Sequence, residues 1–392
     1  MSDDTVTRTT HQSWFSRVAG AFFGIFLGVA LFFGSFFLLA WNEGRAIHRE
    51  KTLDLGAKQV VSISADEPLA ENNGKLVHFS GEAEAGKPVV DPVFGIRAEA
   101  LKLRRNVEMY QWKESEKSET RQKLGGGEET VTTYSYSKAW ASEPVDSSKF
   151  QKPEGHRNPG TMPAQSASFT AAGIHVGKFL LPSSLSRLID NYEPRVVTQE
   201  EAALASDRFS KEFQLVEGGV LYLGQDAAAP GIGDLRITFE VAPYGPVSII
   251  AGQAGSTLEP FAIKNLGAIE LLQTGVLSAK SMFEHEKASN TMLTWILRIA
   301  GFFMMLFGLV LITNILSVLA SVIPFLGDIV GAGTGLLAFA VALPLSIVTI
   351  AISWIAYRPL VGVPLLILAV VCSVFAIRRV AGSRKQPSPG NA

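Results

Sequence analysis

Charged residues divide the chain into polar stretches and four long apolar intervals, at residues 18–42, 299–327, 329–357 and 359–377. A helix rises about 1.5 Å per residue and the hydrocarbon core of a bilayer is about 30 Å thick. Each interval is therefore long enough for one crossing and none for two. The pattern predicts four transmembrane helices, the first at 18–42 and three more in a bundle at 294–377 (about 294–319, 330–356 and 359–377). The uncharged stretch between Arg157 and Lys178 is rich in Pro, Ser, Thr and Gly and does not qualify. The first interval exceeds the roughly 7–15 residues of a signal-peptide core and lacks a clear small-x-small cleavage site, so it reads as an uncleaved anchor. Trp14 and Trp41 flank it as interfacial aromatics do.

Residues 45–285 change period. Val61 and Ile63 alternate with serines, KLVHFSGEAE alternates from Leu76, and Leu101, Leu103, Val107 and Met109 share one face of a charged strand. TVTTYSYSKAWAS (130–142) is dense in residues that suit a pleated surface. Gly218-Gly219 and Gly125–Gly127 punctuate hairpins. Helical signals are few: 183–192, 200–210, and a run from about 264 into the second membrane helix. Pro- and Gly-rich stretches at 151–163 and 226–234 read as loops. The fold class is an α+β membrane protein, with one β-rich extracytoplasmic domain inserted between helices 1 and 2.

An even number of crossings puts both termini on one side. The tails, 1–17 and 378–392, carry Arg8, Arg17, Arg378, Arg379, Arg384 and Lys385, so the positive-inside rule makes both cytoplasmic. Arg45, Arg49 and Lys51, at the outer end of the first helix, oppose that assignment. A formal net charge of −1 excludes the strongly basic footprint of a nucleic-acid binder. The single cysteine, Cys372, excludes an intramolecular disulfide, a Cys-based zinc site and an iron–sulfur cluster.

The chemistry-bearing residues form no familiar constellation. None of the six histidines stands in HExxH, and Glu284-His285-Glu286 puts neighbours on different helix faces. GxSxG, GxGxxG after a strand and a P-loop are absent, and the glycines from Gly331 to Gly335 lie in a membrane segment. No catalytic residue, cofactor or metal is expected. Gly20, Gly24 and Gly28, spaced by four, predict a close helix–helix contact, within the chain or between copies. Asn42, Glu43 and Arg45 cluster at the outer end of the first helix. An anchoring role explains them; the sharper reading groups them with Arg298, Asn314, Asp328, Tyr357 and Arg358 as a polar site. In that alternative, an intramembrane enzyme or lipid-handling protein would use Asn42, Glu43, Arg45, Asn314 and Arg358, while Asp328 falls at the opposite end. Pro324 and Pro344 are expected to kink their helices.

WNEGRA, VVSIS, KLVHFSGE, DPVFGI, LKLRRNVEMYQW, YSYSKAW, GHRNP, VGKFLL, GDLRITF, ILRIAG and SWIAYRPL occur in that order between Trp41 and about Ala376. Together they resemble the transmembrane protein 43 family, also called LUMA. The resemblance implies four membrane helices and a large domain between the first two. For animal members it implies residence in the endoplasmic reticulum and inner nuclear membrane, self-association, and complexes with emerin and lamins. It carries over no catalytic residue. The Ala- and Gly-rich character and the absence of a readable nuclear or retention signal fit a bacterial member in an inner membrane, without emerin or lamins. The expected function is a non-enzymatic multi-pass scaffold that self-associates and organises membrane proteins or lipids.

Overall fold

The computed structural model describes residues 4–357 and, beyond them, residues 363, 364, 367 and 371. Five α-helices occur among the described residues: α1 (Trp14–Gln59), α2 (Ser183–Ser186), α3 (Gln199–Phe209), α4 (Ala279–Ala320) and α5 (Pro324–Tyr357). The chain divides into two compact units. Residues 52–118 and 132–285, with the N-terminal residues up to Arg8, form a β-rich unit; residues 9–51, 119–131 and those from Glu286 onward form a helical unit.

In the β-rich unit, alternation becomes register. One sheet runs in the order Thr5–Gln12, Glu128–Ala141, Ala100–Gln122, Leu235–Pro243, Val220–Leu223, Gln214–Val216. Leu103, Val107 and Met109 stand opposite Val241, Ile237 and Leu235, facing the core. On the other face Arg236 pairs with Glu108 at 2.5 Å and Arg104 with Glu240 at 2.6 Å. The second sheet closes on itself, because Gly245–Ala254 pairs with both Thr257–Glu259 and Leu76–Ala85. A closed ring leaves few unpaired edges. Phe79 stacks on Phe179 inside it, with centroids 4.6 Å apart.

Arg105 sits on the dry face, where the alternation calls for an apolar residue. It is 5% exposed and pairs with the fully buried Asp91 at 2.5 Å. Its Nε donates to the Gln165 carbonyl, and its guanidinium lies over the Phe94 ring. A buried charge persists only with such partners.

Two predicted helical runs are shorter than expected. The 183–192 signal yields only α2, because the carbonyls of Arg187 and Ile189 accept from Lys102 Nζ, at 3.0 and 2.6 Å, instead of continuing a helical ladder. Burial lowers the Lys102 ammonium pKa below its ordinary value. The run from 264 becomes the strands Phe261–Ile263, Gly267–Ile269 and Leu271–Thr274, turning through Asn265 at φ 62°. The 200–210 signal is α3, capped by reciprocal Thr198 and Glu201 bonds.

In the helical unit, α1, α4 and α5 are each long and apolar enough to cross a membrane. Among the described residues there are three such helices; the predicted fourth at 359–377 and the tail 378–392 fall almost wholly outside them. Helix α1 extends well past both ends of the predicted 18–42 span, to about 69 Å at 1.5 Å per residue. Likewise α4 begins at Ala279 rather than near 294. Pro324 opens α5 instead of kinking a longer helix, at a position where its missing N–H leaves no helical bond unmade. Pro344 lies inside α5. The predicted tail 1–17 is also ordered in part: Thr5–Gln12 is a strand, and α1 starts at Trp14.

Leu39, Met305 and Ala342 form the bundle's fully buried core, ringed by Phe32, Phe36 and Phe302. Glycines set how closely α1 and α4 approach. A Cβ at Gly28 would lie 2.7 Å from the Gly308 carbonyl oxygen, and one at Gly301 would meet Leu39 at 2.6 Å.

At the N-terminal end of α1 the hairpin loop Gly125–Gly127 packs onto the helix. Arg17, 9% exposed, donates to Gly126 O at 2.6 Å and Ser321 Oγ at 2.9 Å, and pairs with Glu128 at 2.8 Å. Trp14 Nε1 donates to Val318 O at 3.0 Å, and Gly125 N to Val322 O at 3.1 Å. Gly126 has φ 79°, and a Cβ there would strike Trp14 at 2.3 Å, so glycine is required twice over. The sequence reading set this loop and Arg17 on opposite sides of the membrane; in the structure they are hydrogen-bonded to each other.

Candidate functional site: a polar clamp between α1, α4 and α5

Asn290, Thr294 and Arg298 are spaced by four along α4, which places them on one stripe of that helix. The facing surface of α1 carries Asn42, Glu43 and Arg45. Glu43, 1% exposed, accepts from Arg298 Nε at 2.7 Å and Nη2 at 2.8 Å, and from the indole of Trp354 on α5. One carboxylate thus gathers three helices. The side-on Arg–carboxylate geometry is the strong, directional form of such a pair. Arg298 also lies over the rings of Trp295 and Trp354, at 4.8 and 5.4 Å from their centroids.

Around this pair the bonds interlock. Asn42 Nδ2 donates to Thr294 O at 3.0 Å. Arg45 donates to Asn290 Oδ1, Thr294 Oγ1 and Asn42 Oδ1, at 2.9, 3.0 and 3.3 Å. Asn290 Nδ2 returns a bond to Ala46 O at 2.9 Å, and one helical turn further Arg49 pairs with Glu286 at 2.7 Å. A cavity of about 380 Å³ adjoins the clamp, lined among others by Glu50, Lys287, Thr291, Trp295, Arg298 and Trp354.

The structure therefore brings Asn42, Glu43 and Arg45 together with Arg298. Asn314 lies sixteen residues further along α4, roughly 24 Å from Arg298, and does not join them. Asp328 lies near the start of α5, far along the helix from Trp354, and Arg358 falls outside the described residues. The glycine stripe divides three ways: Gly28 touches α4 backbone, Gly24 has Leu311 at 4.0 Å, and Gly20 has nothing within 4 Å. Sequence reasoning missed Asn290 and Thr294; their spacing of four from Arg298 was the available signal.

Chemically, the clamp holds. Glu43 receives three N–H donors, and the Thr294 hydroxyl donates to its own helix at Asn290 O, 2.6 Å away. Among the described residues, neither side chain is placed against a proton-accepting base. Among the described residues, no group of three or more His, Cys, Asp or Glu side chains could hold a metal ion.

Long apolar helices bound by buried polar contacts, on a chain that also folds a β-rich unit, define an integral membrane protein of mixed α and β structure. A family model for transmembrane protein 43 matches residues 109–359. Transmembrane protein 43 of Rattus norvegicus is 36% identical over 387 residues, covering 96% of this chain and 94% of the relative. That of Homo sapiens is 35% identical over 392 residues, covering 97% and 96%. The Drosophila melanogaster homolog is 31% identical over 352 residues, covering 87% and 90%. No solved structure matches the chain. The chain belongs to the transmembrane protein 43 family.

Proposed function

We propose that this protein is a non-enzymatic membrane scaffold that self-associates and organises neighbouring membrane proteins and lipids. The observation that carries the reading is the commitment of Glu43: its carboxylate is spent on joining α1, α4 and α5, where a catalytic carboxylate would be aimed at a reacting group. A second feature favours contact between copies. Gly20 has open space around it, and Phe22, Phe23, Phe26, Phe33 and Phe37 of α1 point away from the bundle. Small and aromatic residues on one helix supply close approach and dispersion contact inside a membrane.

Crosslinking in native membranes tests this, with Cys372 replaced and a single cysteine at Gly20. A covalent dimer, together with a particle larger than one chain in nanodiscs, is the expected result. A protein that stays monomeric at every concentration and co-purifies with no other protein overturns the scaffold reading.

A further inference from the structure

His156 lies in the β-rich unit, 1% exposed, on a loop tied to the strand Ala100–Gln122. The tie is Asn158, whose Nδ2 donates to Trp112 O at 2.9 Å and whose Oδ1 accepts from Trp112 N at 2.7 Å. The Tyr136 ring stacks on the imidazole with centroids 3.9 Å apart, and the Trp112 ring meets it edge-on at 4.7 Å. Both ring nitrogens face oxygen acceptors. Nδ1 is 2.9 Å from the Lys152 carbonyl, and Nε2 is 2.7 Å from the Asp4 carboxylate. A neutral imidazole carries one N–H, so it makes one of those bonds and turns a lone pair on the other oxygen. An imidazolium makes both. The proton is not on Asp4: Lys152 Nζ donates to its other oxygen at 2.9 Å, and that bond chiefly, with His156, holds the carboxyl below its ordinary value. Nor does Tyr136 exchange one. Its hydroxyl donates to Glu114 at 2.7 Å and accepts from Lys152 N at 2.9 Å, and burial, with Glu114, pushes it up to about 12. The charged groups around the ring are thus Asp4 on the N-terminal segment, Lys152 on the ring's own loop, Glu114 bonded to Tyr136, and Lys138, whose Nζ lies over the Trp112 ring at 4.9 Å.

We propose that His156 is a proton-operated latch for the N-terminal segment: the doubly protonated ring holds Asp4, and loss of one proton releases it. The pocket itself stays formed, because Asn158 rather than the ring ties the loop down. What leaves is residues 4–8. Their release uncovers the outer edge of the strand Glu128–Ala141, with which the N-terminal strand pairs, and an uncovered edge offers its backbone groups to another chain. The sign follows from the bond count. The ring's contribution is complete while it keeps both protons, and is lost as pH rises through the value at which the folded ring gives one up. That direction is opposite to the release that protonating Asp4 brings, so the docked segment is confined to a window of pH. The latch goes beyond the scaffold reading and does not depend on it, since a strictly monomeric protein carries it too.

A nitroxide on a single cysteine at the exposed Thr7, with Cys372 replaced, reads the segment in the full chain in nanodiscs. The ratio of mobile to immobilised spectrum is expected to be about tenfold higher at pH 9 than at pH 6, as the loss of one charge-assisted bond requires. His156→Gln has no proton to lose in that range and should give one ratio at both pH values. Asp4→Asn alters the segment rather than the pocket, so it is informative even where a change at the buried ring prevents folding. Its amide can donate to the bare Nε2, and its ratio should likewise stay level. Equal ratios for the wild type at pH 6 and pH 9 overturn the latch, as does an alkaline rise that persists in either variant.

Discussion

Alanine at the three stripe glycines of α1 separates packing from propensity. At Gly28 the new Cβ meets Gly308 O at 2.7 Å and Ile312 N and Cγ1 at 3.0 Å. Two of those atoms are backbone, so no rotamer change relieves the contact and the helices themselves must part. Overpacking of this kind costs about 1–3 kcal/mol, and replacing a mid-helix glycine returns about 0.5–1 kcal/mol. Gly28→Ala should therefore destabilise the bundle by a net ~0.5–2 kcal/mol. Gly24→Ala, with only Leu311 Cδ2 at 4.0 Å, and Gly20→Ala, with nothing within 4 Å, should be neutral or slightly stabilising. Gly308→Ala strikes Phe32 N at 2.7 Å and Gly28 O at 2.8 Å, so it should match Gly28→Ala. Combining the two should cost less than their sum, because one separation relieves both. Reversible unfolding in mixed micelles, followed by tryptophan fluorescence, measures these differences. The packing argument fails if Gly28→Ala is as stable as Gly20→Ala.

Other expectations follow from buried charges. Glu43→Gln leaves the Arg298 guanidinium without its counter-charge and should destabilise the helical unit by about 3 kcal/mol or more, read by the same unfolding assay; an unchanged midpoint would remove the clamp's structural role. Asp91→Asn strips Arg105 of its partner on the dry face of the sheet and should cost about 3–5 kcal/mol, seen as faster hydrogen exchange across residues 100–109. The Asp4 carboxyl is held below its ordinary value of 3.8, chiefly by the hydrogen bond from Lys152 Nζ and further by His156. A lowered carboxylate stabilises above its ordinary value and loses that contribution as pH falls through the folded-state value. Docking of the N-terminal strand should thus hold at neutral pH and loosen below pH 3.8, with Asp4→Asn abolishing the dependence; exchange rates of residues 5–8 decide it.

Much of this architecture was legible because burial writes a period into the chain. The uncharged intervals gave the three described membrane helices, and Leu101, Leu103, Val107 and Met109 gave the dry face of a sheet. What periodicity reports is which face is covered, not what covers it. Hence Arg105 was hidden, since its stability on the dry face depends on Asp91, fourteen residues earlier on a different segment. For the same reason Gly28 could be assigned to a helix contact but not to Gly308. The clamp was half visible: Asn42, Glu43, Arg45 and Arg298 stand out as ionisable or amide groups beside apolar runs. Asn290 and Thr294 do not, because polar residues at helix ends are common, and Trp354 carries no charge to set it apart from its apolar neighbours. The ends of α1 and α4 were misjudged because an apolar count stops at the first charge, whereas hydrogen bonding along a helix does not.

The joint at Arg17 has a consequence for sidedness. Three stretches far apart in the chain meet there: the start of α1, the end of α4 and the loop Gly125–Gly127. The expectation that follows is that whichever compartment receives the N-terminal end of α1 also receives that loop. A cysteine at Ser13 and one at Leu124 should accordingly respond alike to an impermeant reagent, both labelled or both protected. A tag on the exposed loop then becomes an address label for a helix end 109 residues away, and the insertion of α1 can be followed without touching the helix.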